Sequence, residues 1–132
     1  MGKESMTMET IGSAEERIAA EDLIVRCGVR VDLRGSEYLV DGALLFGLNG
    51  MRGCYKIYDA IAEMRGVRAK TVMQEMSYAI NKAYDITQGL SELVGVKIPK
   101  GEIHNGLVMG YLGRELNRNR VMKEIDESKY QA

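Results

Sequence analysis

The sequence predicts an all-α protein, a compact bundle of about six helices containing a helix-turn-helix. Three observations predict it. Apolar residues recur at three- and four-residue spacing along most of the chain. Helix-starting residues precede several of these segments, and glycines close them. The one stretch that alternates like a strand, Val29-Arg30-Val31-Asp32-Leu33, is too short to make a sheet by itself.

In order along the chain, residues 1–12 are polar and aperiodic and read as a flexible tail. Ser13 and Glu16 have the spacing of a capping box, in which each side chain satisfies the other's free backbone N–H. The helix they open carries Ile18, Leu23, Ile24 and Cys27 and stops at Gly28. Residues 29–33 form a short strand or an extended connector. Ser36 is the expected N-cap of a second helix, with Leu39, Val40, Ala43, Leu44 and Leu45 inward and an end near Asn49-Gly50. Residues 54–65 place Ile57, Ile61 and Met64 on one face, and Gly66 breaks that helix. A connector of three or four residues leads into a helix over 69–88 that Gly89 ends, and residues 90–94 add one more turn. The segment 95–101 holds the only proline, Pro99, and reads as a loop. Asn105 caps a last helix with Leu107, Val108, Tyr111, Leu112 and Leu116 inward. The expected organisation is one helical domain over 13–125, with 126–132 as a frayed tail.

Composition narrows the function. A chain of 132 residues that is 45% hydrophobic and 28% charged can bury one core. Its 18 Lys and Arg against 19 Asp and Glu leave a net charge of -1, which excludes nucleic-acid binding by total charge but not by a local basic surface. Apolar runs are too short to span a bilayer, and the N-terminus lacks a signal-peptide core. Met6 stands where a myristoylation pattern needs Ser or Thr. A cytoplasmic location is expected, with no membrane partner.

Cys27 and Cys54 read as two buried free thiols rather than a disulfide, because cytosolic thiols stay reduced. His104, the only histidine, cannot build a zinc site alone; it has no nucleophile elbow beside it and reads as a surface residue near a helix start. Gly106, Gly110 and Gly113 do not match a phosphate-binding loop. No carboxylate pair sits in an apolar context. The expectation is no catalysis, no cofactor, no metal and no small-molecule substrate.

The chemistry worth pursuing lies in the helix that follows Gly66. At 100° per residue, Ala69, Val72, Met76, Ala79, Ile80 and Ala83 form one apolar arc. The opposite arc holds Lys70, Thr71, Gln74, Ser77, Tyr78 and Asn81, and it is almost free of carboxylates: over 65–85, Arg65, Arg68, Lys70 and Lys82 stand against Glu75 and Asp85. Amides of Gln and Asn pair with adenine, Thr touches a thymine methyl, and Lys or Arg reaches guanine or phosphate. Two helices joined by a short glycine-containing turn are also the outline of a DNA-reading helix-turn-helix.

Four stretches resemble the C-terminal DNA-binding effector domain of the stage-zero sporulation response regulator. LIVRCGV at 23–29 is similar to that family's helix end followed by glycine and valine. GSEYLVDGALLF at 35–46 resembles its G-Y-x-Y-L-R-E-A-I segment. YDAIAEMRGVRAKTVMQEMSYAINKAY at 58–84 resembles its Y-P-x-I-A-K helix, turn and recognition helix. LVGVKIPKGEIHNGLVMGYLGREL at 93–116 resembles its F-G-Y-T-V stretch and final helix. Together they run in order over roughly residues 21–120. The resemblance implies six helices with a helix-turn-helix, major-groove binding to double-stranded DNA, often as a homodimer or tandem copies, and transcription regulation in sporulation. It also implies an N-terminal receiver domain in the intact family protein; residues 1–20 are too few to hold one, so receiver phosphorylation is not expected to carry over within this chain.

The departures lie in the recognition helix. Thr71, Gln74 and Ser77 stand where the family has base-reading arginines, Lys70 and Met73 accompany two of them, and Tyr78 replaces a histidine. Each arginine–guanine contact is worth roughly 1–3 kcal/mol of discrimination, so the target sequence differs from the family's. The expected function is therefore a sequence-specific DNA-binding regulator. Lys70, Thr71, Gln74, Ser77, Tyr78 and Asn81 face base edges, and Arg65, Arg68, Lys82, Lys100 and Arg118 contact phosphates. The alternative is a protein-interaction module of the same fold that has lost DNA binding. The nine methionines, and Met73 at the edge of the recognition face, suit such a surface.

Overall fold

The computed structural model describes residues 11–130. Within them lie six α-helices: α1 (Ala14–Arg26), α2 (Arg34–Gly47), α3 (Cys54–Arg65), α4 (Ala69–Lys82), α5 (Ile86–Val94) and α6 (Asn105–Tyr130). A single 3-10 turn, Lys100–Glu102, precedes α6, and no strand occurs among the described residues.

The most apolar helix takes the centre. α2 buries every residue from Tyr38 to Leu45, and α1, α3, α4 and α6 all pack on it. Two of its glycines make that possible. A side chain at Gly35 would run into the Glu75 carbonyl of α4, and one at Gly47 into the Gly113 carbonyl of α6. Backbone therefore meets backbone at both ends of α2. The core is completed by Leu23 and Ile24 of α1, Ile57 and Ile61 of α3, Val72 and Met76 of α4, Leu90 of α5, and Val108, Met109, Leu112 and Leu116 of α6.

One charge lies inside this core. The Asp41 side chain is 0% exposed in the middle of α2. Arg17 of α1 donates to its Oδ1 at 2.8 Å. Arg65, the last residue of α3, donates to Oδ2 at 2.9 Å and to Oδ1 at 3.0 Å. A buried carboxylate is tolerable only when paired and hydrogen-bonded, so these two arginines fix α1 and α3 on α2. Hydrogen bonding to Asp41 raises the Arg65 pKa further above its ordinary value.

Several local expectations change. The capping box of Ser13 and Glu16 closes as expected, with bonds of 3.1 and 3.0 Å. Residues 29–33 are a connector. Ser36 is not the N-cap of α2: the helix starts at Arg34, and the buried Ser36 hydroxyl donates back to the Leu33 carbonyl at 2.6 Å. Helix 69–88 is two helices. The backbone leaves helical geometry at Ala83, and Asp85, left-handed with φ 43°, starts α5 by accepting from the Gln88 N–H. Gly89 therefore lies inside α5, where it lets the helix approach Cys27.

Ile18, expected inward, is 64% exposed. Of the tail expected over 1–12, residues 1–10 lie outside the described part, while Ile11 is fully buried. The segment expected to fray over 126–132 is helical to Tyr130, and 131–132 lie outside the described residues.

Both cysteines are free thiols, with Cys27 buried and Cys54 only half-buried. Burial pushes the Cys27 thiol up from 9.0 to about 11. A raised thiol pKa favours the folded state below the unfolded value, so that contribution is lost as pH rises from about 9 towards about 11. Under native conditions iodoacetamide is expected to modify Cys54 and leave Cys27 until the chain unfolds, as peptide mass mapping would show.

Removing Arg65 strands half of a buried ion pair, so Arg65→Met is expected to cost about 3 kcal/mol in urea unfolding. Asp41→Asn should cost less, because both arginines can turn to water. Equal stability of wild type and Arg65→Met would contradict this account of Asp41.

Candidate nucleic-acid interface

The turn between α3 and α4 is three residues long, Gly66-Val67-Arg68. Gly66 adopts left-handed φ 67°, where a side chain would be strained. Its N–H and that of Val67 both close on the Ala62 carbonyl. Arg68 is extended, and α4 begins at Ala69 with no side-chain cap. The sharp reversal follows from one glycine and two return hydrogen bonds.

α4 divides into two faces, as its apolar period requires. Val72, Met76, Ala79 and Ile80 are buried, with Ala69 and Ala83 half-buried beside them. On the opposite face Lys70, Gln74, Tyr78 and Asn81 are exposed, while Thr71 and Ser77 are half-buried. Lys82 lies over the Tyr78 ring, 5.6 Å from its centroid, so the two form one cationic-aromatic corner. Met73 is half-buried at the edge, against the core.

A buried amide holds this face in place. Asn105 of α6 donates through Nδ2 to the Tyr58 hydroxyl of α3 and to the Met73 carbonyl of α4, both at 3.1 Å. Its Oδ1 accepts from the Ser77 hydroxyl at 3.1 Å. One side chain thus ties three helices at fixed polar positions. Burial raises the Tyr58 pKa, which keeps the phenol a neutral partner for the amide. Beside this knot, a cleft of ≈ 470 Å³ opens along α4, bordered by Tyr55, Met73, Asn81, Ile103 and His104.

The expected site residues separate into three groups. Lys70, Thr71, Gln74, Tyr78 and Asn81 come together on the outer face of α4, with Arg68 and Lys82, both exposed, near its two ends. Ser77 lies on the same helix but uses its hydroxyl on Asn105. Arg65 is placed differently from expectation: its guanidinium is engaged by Asp41 and lies 3.6 Å from Glu37, so structural pairing occupies it instead of a phosphate. Lys100, in the 3-10 turn, and Arg118, on α6 and 3.5 Å from Glu115, are exposed on elements other than α4.

Asn105 itself was expected to cap α6. His104 does that instead, its Nδ1 accepting from the Leu107 N–H at 3.2 Å. The sequence signal for the Asn105 knot is faint, because a polar residue at a helix start reads first as a cap. Asp41 had a clearer signal: it is the only charge between Tyr38 and Gly50, inside an otherwise apolar run.

Among the described residues, no three His, Cys, Asp or Glu side chains gather as a metal would need, and no helix is long and apolar enough to cross a membrane. No protein-family model, curated protein or solved structure matches this chain.

Asn105→Ala leaves the Tyr58 and Ser77 hydroxyls and the Met73 carbonyl without their partner. The expected cost is about 2–3 kcal/mol in chemical denaturation. Ser77→Ala removes one donor only and should cost about 1 kcal/mol. An Asn105→Ala cost no greater than that of Ser77→Ala would contradict the knot.

Proposed function

We propose that this chain is a sequence-specific DNA-binding transcription regulator of the sporulation-effector type, acting in the cytoplasm and reading the major groove with α4. One observation carries the reading: the outer face of α4 presents Lys70, Gln74, Tyr78 and Asn81 to solvent, and the helix's one carboxylate, Glu75, is half-buried at the edge of that face. The helix has 14 residues, about 21 Å in length, a size that suits the groove.

Gln74 and Asn81 supply paired amide hydrogen bonds to adenine, Lys70 reaches guanine, and the Thr71 methyl meets thymine. Arg68 and Lys82 take the flanking phosphates, and Tyr78 packs its ring against the backbone sugar. Ser77, held by Asn105, shapes the face rather than reading a base. With Arg65 committed to Asp41, two cations of this surface, Arg68 and Lys82, remain for phosphates, so the slope of log K against log salt should be about −2. The face holds no arginine, which favours an A·T-containing site over a guanine-rich one.

Arg65's engagement, together with the net charge of -1, also favours a second reading, a protein-interaction module of the same fold. Selection of duplexes from a random pool decides between them. The DNA-binding reading predicts one enriched motif, bound with the salt slope above. Gln74→Ala should weaken binding to that motif about 10-fold or more and relax one base position. An unenriched pool, with no binding at low salt, would remove the DNA reading and favour the second.

A further inference from the structure

The C-terminal half of α6 has no core to rest on. The helix has 26 residues, about 39 Å, yet its last buried side chain is Leu116. Every residue from Asn117 to Lys129 is exposed. Arg120, Lys123 and Glu127 border a groove shared with α1, where Lys123 reaches Glu15 at 3.5 Å. On the other side of the helix Val121, Met122 and Ile125 stand 44%, 51% and 45% exposed. Helical spacing puts Arg118 and Lys129 on that same outward stripe. A lone helical arm of this length is marginal in water, and one with an exposed apolar stripe is more so.

The charges flanking the stripe are arranged symmetrically about Met122. On the face that Met122 shares, Arg118 and Asp126 stand four residues either side of it, and Glu115 and Lys129 seven. Each of these two pairs is of opposite sign, and no like-charged pair between 115 and 129 shares a distance from Met122.

We propose that this stripe is the interface with a second copy of the chain, packed antiparallel about a two-fold axis at Met122. In that arrangement Met122 meets its symmetry mate, Ile125 covers the aliphatic stem of the facing Arg118, and Arg118 lies opposite Asp126. A two-fold contact uses the same surface on both copies, so the surface must complement itself. The antiparallel register satisfies that requirement, whereas a parallel one would set Arg118 against Arg118 and Asp126 against Asp126. An unrelated partner would require no such symmetry. Arg118 is 75% exposed and touches only Glu115 of its own helix, at 3.5 Å, so that contact is weak and yields readily to pairing across the axis. The inference is independent of what α4 binds.

The test is sedimentation equilibrium of the full chain without DNA. A monomer–dimer equilibrium is expected for the wild type. Arg118→Glu and Asp126→Arg each set like charges opposite one another twice per dimer, so each should raise the dimer dissociation constant about 10-fold or more. The double variant Arg118→Glu/Asp126→Arg should return towards wild type, and an equimolar mixture of the two single variants should form a heterodimer. The altered side chains are exposed, and unchanged circular dichroism would establish that the fold is kept. A wild type that stays monomeric to millimolar concentration, a dimer indifferent to the single changes, or single changes that the double variant does not rescue would each overturn the proposal.

Discussion

The Asp41 carboxylate is the constraint around which this bundle is organised. It sits wholly buried on the central helix and tolerates that position only because Arg17 of α1 and Arg65 of α3 both reach it. The cost of leaving it alone in the core makes the positions of α1 and α3 interdependent. Arg65 is also the residue immediately before the Gly66 turn. The same ion pair therefore anchors α3 on α2 just before the turn that Gly66 makes.

A second polar device works at the middle of α4. Asn105 joins Tyr58, Met73 and Ser77, so α3 and α4 are held to each other and to the start of α6 at once. Apolar packing alone is non-directional and would allow α4 to slide or rotate by small amounts on α2. The close approach at Gly35 and the three bonds of Asn105 leave one rotation, and in it Lys70, Gln74, Tyr78 and Asn81 point outward. A surface that reads base edges needs this rigidity, because hydrogen-bond recognition fails with small displacements.

Much of this was legible in the sequence, for identifiable reasons. α3 begins and ends where its period and Gly66 place it, and α4 begins where expected, because strong local signals mark those boundaries. The two faces of α4 follow directly from the spacing of Val72, Met76, Ala79 and Ile80. The misreadings share one cause: a local signal was overridden by a distant partner. Ser36 and Asn105 read as caps, but the bundle buried both and gave their side chains other bonds. The long helix over 69–88 broke at Ala83 because α5 packs beside Cys27, and only Asp85 hinted at the restart. Arg65 read as a phosphate ligand since nothing nearby in sequence identified Asp41, 24 residues earlier, as its partner. Residues 126–132 read as a frayed tail because no apolar period anchors them to the core.

The resulting picture is a bundle whose interior polar contacts fix the helices on one another, and whose last helix extends past the core they hold. The most direct test of the proposed α4 surface is a titration of isotope-labelled protein with the enriched duplex, followed residue by residue in amide NMR spectra. The account predicts shifts concentrated in Arg68 to Lys82, largest at Lys70, Gln74 and Asn81, with the amides of α1 and α5 unmoved. Shifts centred on α1 or α5, or no shifts at all, would contradict it.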